Sequence, residues 1–185
     1  MKRNYFVVVL IFIIFSVISF LTNIINPLIP DVMKSFHLNK TLAGLLPFSF
    51  FIAYGVMSIP AGMMVEKYRE KKMMVIPFML ACVAALVFVF FPSFPVYLIS
   101  LFAIGAGMAM LQVTINPLLR VSGGEEHFAV TSVIAQLFFG GASYLGPLLY
   151  SYLVRNLPDP SEDGNIFLHT LSGLVPTNLP WISLY

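Results

Sequence analysis

The chain has 185 residues, of which 59% are hydrophobic and 10% are charged, and its formal net charge is +2 at pH 7. Soluble domains are typically about 25% charged, so this chain lacks the polar surface that a water-soluble fold needs. The small net charge and the absence of a basic stripe argue against a nucleic-acid-binding protein. These properties indicate a protein that lies within the membrane.

Long segments without Asp, Glu, Lys or Arg predict the membrane-spanning helices. A spanning helix needs about 20 apolar residues, and three of the four charge-free segments have room for one helix each. The third has room for two, which the prolines of "FPSFP" separate near Pro92. The sequence therefore predicts an all-α membrane protein with helices at roughly residues 5–30, 41–65, 73–91, 96–120 and 128–154.

The distribution of basic residues predicts the orientation. Two Lys or Arg residues precede the first helix, four follow the second and one follows the fourth, against three on the opposite side. Basic residues collect on the cytoplasmic side of membrane proteins. We therefore expect a cytoplasmic N-terminus and, after five helices, a chain that ends outside.

The tail is expected to differ from the five-helix bundle of residues 1–155. Residues 156–180 are rich in polar and turn-forming residues, which predicts an extracytoplasmic loop. Trp181 and Tyr185 follow a proline and suit a membrane interface, so residues 181–185 are interpreted as the onset of a sixth helix. An unfinished sixth helix predicts that the chain is a fragment of a longer protein.

The tetrapeptide INPL occurs in two predicted helices, with its asparagine at Asn26 and again at Asn116. The first of these helices is expected to run outward and the fourth inward, and both copies lie toward the C-terminal part of their helix. Two related three-helix units of opposite orientation form an inverted repeat, which is common in secondary transporters. We therefore expect a 3+3 inverted repeat.

The prolines of this motif lie among polar side chains. Pro27 and Pro117 have no backbone N–H, so each leaves a carbonyl oxygen one turn earlier without its helical partner. The polar side chains nearby lie on the first, fourth and fifth helices: Thr22, Asn23, Asn26, Gln112, Asn116 and Gln136. One interpretation is a polar cavity that binds a neutral, hydroxyl-rich solute. The other is that these amides join helices to one another.

Three stretches carry a resemblance to a known family: "YG…PAG" at the end of the second helix, "NP" followed by "GGEE" in and after the fourth, and "AQLF" in the fifth. Nearly the whole chain resembles the N-terminal half of the fucose–proton symporter group of the major facilitator superfamily, which includes glucose/galactose transporters. Members have twelve helices in two halves. The resemblance implies alternating-access transport of a hexose, a deoxyhexose or a similar solute across a bacterial inner membrane, with a missing C-terminal half as partner and no cofactor.

The resemblance also implies binding positions. Asn23 and Gln136 match sugar-binding positions, and Phe139 stands where a fucose carrier has an asparagine. Asn26 and Gln112 stand where proton-coupled members have acids. An amide keeps the hydrogen bonds but cannot release a proton. With Asn116, these form the expected substrate site. No Asp, Glu or His lies within the predicted helices, so the usual carboxylate coupling is not expected in this half.

The segment "GMMVEKYREKK" resembles a gating loop of the superfamily. It keeps Gly62, Glu66 and Lys67, but Arg69 stands where a glycine is usual. The resemblance implies a latch between helices. A solvated cytoplasmic turn explains the same charges.

Two other functions are alternatives to transport. A membrane scaffold or partner subunit of the same ancestry needs no solute cavity. An intramembrane enzyme needs a metal cluster or an activated nucleophile, whereas His37, His127 and His169 lie in separate loops. We therefore expect neither catalytic residues nor a metal.

Overall fold

The computed structural model describes residues 5–68 and 70–156. Throughout this part the regular structure is helical, in the order α1 (Tyr5–Asn23), α2 (Ile25–Ser35), α3 (Lys40–Lys67), α4 (Glu70–Phe90), α5 (Phe94–Gly123), a short 3-10 turn (Glu125–His127) and α6 (Phe128–Asn156). The predicted loop at 156–180, beyond its first residue, and the predicted helix onset at 181–185 lie outside the described residues.

Within residues 5–68 and 70–156, five helical segments are long and apolar enough to cross a membrane, and α1 and α2 together form the first of them. They are Tyr5–Ser35, Lys40–Lys67, Lys72–Phe90, Phe94–Gly123 and Glu125–Tyr152. The prediction of five spanning helices is confirmed, and the chain is an integral membrane protein. Four of these spans have 28 to 31 residues, more than the about 20 that a bilayer requires, so they extend beyond the hydrocarbon core or tilt within it, whereas Lys72–Phe90 has 19.

The predicted helices are too short at several of their ends. The first helix was expected to end near residue 30, yet α2 continues to Ser35 and includes Asp31. Glu66 lies in the last turn of α3, and Glu70 begins α4. The prediction that no acidic residue lies within the helices was therefore wrong. A charged side chain ends an apolar run but not the helix, because helices project past the hydrocarbon into water.

The two Asn-Pro pairs have different effects on the backbone. A turn at Ile24 separates α1 from α2. The N–H of Ile24 still donates to the carbonyl oxygen of Phe20, four residues earlier, at 3.0 Å. Pro27, three residues later, cannot donate to the Asn23 carbonyl, which accounts for the interruption. Pro117 instead lies inside the continuous helix α5. The first span is therefore broken near Asn23, while the fourth continues to Gly123.

Helix α5 lies at the centre of the described bundle and packs on α3, α4 and α1. Two glycines allow the close approach. A Cβ atom on Gly105 would overlap the backbone carbonyl of Phe50 in α3, and one on Gly107 would lie 3.0 Å from the carbonyl oxygen of Pro77 in α4. Such small residues bring helix backbones together where apolar surface alone gives little drive for association.

The helix pairing agrees with an inverted repeat. That symmetry exchanges the first span with the fourth and the second with the fifth. The first span packs mainly on α6, and α5 packs mainly on α3, while α1 and α5 contact each other. The two main pairings are therefore exchanged by the symmetry.

Candidate functional site

Gln112 of α5 is held by a tyrosine of α3. The Tyr54 hydroxyl donates a hydrogen bond to Oε1 of Gln112, and both side chains are half-buried. Tyr54 lies one turn after Phe50, and Gln112 lies two turns after Gly105, so the close contact at that glycine brings the two side chains within reach. Nε2 of Gln112 makes no hydrogen bond to any residue that the structure describes. It remains available as a donor.

Asn23 is fixed by its own helix and by a serine one turn earlier. Its Nδ2 donates to the carbonyl oxygen of Ser19 at 2.8 Å, and Ser19 Oγ lies at 3.4 Å. The Ser19 hydroxyl, fully buried, donates to the carbonyl oxygen of Phe139 in α6 at 2.6 Å. Thr22 likewise donates to the Ile18 carbonyl at 2.8 Å. Helix joining is therefore performed by Ser19, and Oδ1 of Asn23 keeps its acceptor capacity.

Three other predicted site amides are exposed on three different spans. These are Asn26 on α2, Asn116 on α5 and Gln136 on α6. Their side chains form no hydrogen bond within residues 5–68 and 70–156. An unpaired amide in an apolar environment costs about 1–3 kcal/mol, judged from mutational data. Contact with lipid is therefore unfavourable for all three, and a wet cavity or further protein would remove that cost.

Phe139 is half-buried and packs against the main hydrophobic core. Its neighbour Phe138 stacks on Phe12 of α1, with ring centroids 5.2 Å apart and planes inclined by 13°. These rings and the Ser19 hydrogen bond hold α6 on α1. The aromatic ring of Phe139 thus already contributes to helix packing.

The expected gating residues lie at the end of α3. Glu66 and Lys67 are exposed, and the Lys67 ammonium lies 5.9 Å from the ring centroid of Tyr68. A Cβ atom on Gly62 would meet nothing within 4 Å, so the described packing does not require a glycine there.

Sequence reasoning missed two hydrogen bonds that join side chains of different α-helices. Besides Tyr54 with Gln112, the Tyr150 hydroxyl of α6 donates to Oδ2 of Asp31 in α2 at 2.5 Å. These partners are 58 and 119 residues apart in sequence. Tyr54 lies inside the quoted "YG…PAG" stretch, but nothing in that stretch indicates its partner.

Comparisons with known proteins agree with this architecture. The chain matches the family model of the Major Facilitator Superfamily over residues 11–158. It is 29% identical over 157 residues to a glucose/galactose transporter of Brucella abortus, covering 83% of this chain and 38% of the relative. It is 30% identical over 172 residues to an L-fucose-proton symporter of Haemophilus influenzae, covering 89% of this chain and 40% of the relative.

The chain thus spans about two fifths of the length of these curated relatives. An L-fucose-proton symporter of Escherichia coli strain K12 is 28% identical over 149 residues. No solved structure matches the chain significantly. Because the family match extends over most of the sequence and over all five spans, the chain belongs to the Major Facilitator Superfamily.

Proposed function

We propose that this chain is the N-terminal part of a carrier that moves a sugar or a sugar-like solute across the membrane. The observation that carries the proposal is the set of exposed amides on three spans that have no hydrogen-bond partner within residues 5–68 and 70–156, beside the anchored amides of Asn23 and Gln112. Each amide offers both donors and an acceptor, which suits hydroxyl groups. The names of the relatives favour a hexose or deoxyhexose as solute.

The proposed mechanism is alternating access, in which two six-helix halves rock around a site near the membrane midplane. The site residues in this half are Asn23, Asn26, Gln112, Asn116, Gln136 and Phe139. The amides hold a neutral solute without changing charge, so any ion coupling uses groups elsewhere in the carrier. Gly62, Glu66 and Lys67 would form part of a cytoplasmic gate between the halves.

The remaining part of the carrier follows from the same proposal. The extracytoplasmic loop at residues 156–180 and the helix onset at residues 181–185 stay predictions from the sequence. In the most apolar 18-residue stretch of α5, 67% is buried, whereas in the corresponding stretch of the first span 33% is buried. A sixth helix that packed on the first span, as α4 packs on α5, would bury the additional exposed surface of the first span. The carrier lies in the inner membrane with its N-terminus in the cytoplasm, as the basic loops indicate.

The test uses the full-length carrier in proteoliposomes with labelled D-glucose, D-galactose and L-fucose. The double variant Asn26→Ala with Gln112→Ala is expected to abolish saturable uptake of the transported sugar. Cys82→Ala is the control, since this exposed cysteine lies on α4, away from the proposed site. Unchanged uptake by the double variant would remove both residues from the site.

The alternative is a scaffold or partner subunit that transports nothing. The observation in its favour is the broad apolar face of α6, where Leu137, Tyr144 and Leu148 are each more than 60% exposed. Cross-linking of the full-length protein into one defined oligomer, together with no uptake of the three sugars, would favour this function over transport.

A further inference from the structure

We propose that Tyr54 is a positioning residue of the solute site, which fixes the orientation of the Gln112 amide and thereby decides which group it offers to the solute. The inference rests on the proposed function, because it takes Gln112 to be a binding residue. No feature of the sequence or of the comparisons assigns this role to Tyr54.

The chemistry follows from the direction of the hydrogen bond. A primary amide presents an acceptor on one side and two donors on the other, and rotation by 180° exchanges them. Tyr54 donates to Oε1 of Gln112, which occupies the acceptor side. The amide nitrogen is then left for the solute. Gln112 therefore offers N–H donors and selects a solute oxygen that accepts a hydrogen bond.

The backbone makes this arrangement rigid. Helices α3 and α5 meet at Gly105, where the missing side chain allows contact with the Phe50 carbonyl. A second link lies nearby, since the Ser49 hydroxyl of α3 donates to the Leu98 carbonyl of α5 at 2.8 Å. Tyr54 is thus carried on a helix whose distance from α5 is fixed at two points. A precise distance is what a positioning residue requires.

A tyrosine hydroxyl in a membrane helix also gains from any partner, so a purely structural role must be separated from positioning. The first test measures sugar uptake by the full-length carrier with Tyr54→Phe, which removes only the hydroxyl. A hydrogen bond contributes about 0.5–1.5 kcal/mol, so we expect KM to rise about twofold to tenfold, with the maximal rate nearly unchanged. Tyr144→Phe is the matched control, because Tyr144 is 74% exposed and forms no hydrogen bond in the described bundle.

The second test asks whether Tyr54 acts through Gln112. In a Gln112→Ala background, Tyr54→Phe is expected to cause no further rise in KM. If Tyr54→Phe raised KM by the same factor in the Gln112→Ala background as in the wild type, the positioning role would be overturned. It would also be overturned if Gln112→Ala raised KM and Tyr54→Phe left KM unchanged. If Gln112→Ala alone leaves uptake unchanged, the assignment of Gln112 to the site fails, and the inference falls with it.

The third test needs no solute. In a carrier labelled with ¹³C at the glutamine side-chain carbonyl, the signal lost in Gln112→Ala identifies Gln112. Tyr54→Phe should shift this signal, because the carbonyl loses its donor, whereas Tyr144→Phe should not. An unshifted signal overturns the inference. If the carrier takes up none of the three sugars, the sugar proposal fails while this measurement still decides the orientation of the amide.

Discussion

Replacing Gly105 by alanine adds one methyl group at the closest approach between α3 and α5. The new Cβ atom would overlap the carbonyl oxygen of Phe50, which belongs to the backbone and cannot rotate away. One of the two helices must therefore move. Overpacking of this kind typically costs about 1–3 kcal/mol. We expect the larger part of this range, because the obstacle is backbone and not the end of a flexible side chain.

Gly141→Ala in α6 is the matched control. It adds the same methyl group at a helical glycine where a Cβ atom would meet nothing within 4 Å. Alanine is preferred to glycine in a helix by about 0.5–1 kcal/mol, so this variant should be neutral or slightly more stable. Because both glycines lie inside helices, this preference is common to the two variants and cancels, so they should differ in stability by about 2–3 kcal/mol, the cost of overpacking at Gly105 alone.

The assay is thermal or denaturant unfolding of the full-length carrier in detergent, followed by the fluorescence of a bound dye or by the loss of monodisperse protein. Movement of α3 would also draw Tyr54 away from Gln112, so KM for the transported sugar should rise in Gly105→Ala and not in Gly141→Ala. Equal stability of the two variants would show that α3 and α5 are not in contact at Gly105, and the reasoning would fail.

Four further predictions concern two side chains of this half, the isolated chain and the coding frame. Ser19→Ala removes the buried hydrogen bond to the Phe139 carbonyl and should destabilise the carrier by about 1 kcal/mol, measured by unfolding. Ser58→Ala is the control, because the Ser58 hydroxyl donates only to a carbonyl of its own helix. Gln112→Glu should make uptake fall as pH rises, because an ionised carboxylate only accepts hydrogen bonds whereas the protonated acid also donates one; a flat pH profile would contradict a donor role. The isolated 185 residues should show no sugar uptake in liposomes above that of empty vesicles, since half of the proposed cavity wall is absent. Reading the coding frame beyond Tyr185 should reveal the rest of a sixth helix and six more spans, and an immediate stop codon would favour the scaffold.

Hydropathy and charge alone were sufficient to identify the five spans. A bilayer accepts only long apolar helices, so runs without charge report them directly. The same rule marked Asn26 and Gln112 as unusual, because an amide in hydrocarbon is costly wherever it occurs. The predicted helix ends were less accurate, as Asp31 shows, because water at the membrane surface tolerates a charge within a continuing helix.

Which residue meets which was decided only by the tertiary structure. Thr22 and Asn23 bond to their own helix, while Ser19, which no sequence pattern distinguished, joins α1 to α6. Tyr54 reaches Gln112 because Gly105 lets two helices approach, and that distance depends on backbones far apart in sequence. The composition of a helix indicates whether lipid or water surrounds it. The direction in which an amide presents its donors depends on a neighbouring helix, which only folding brings into contact.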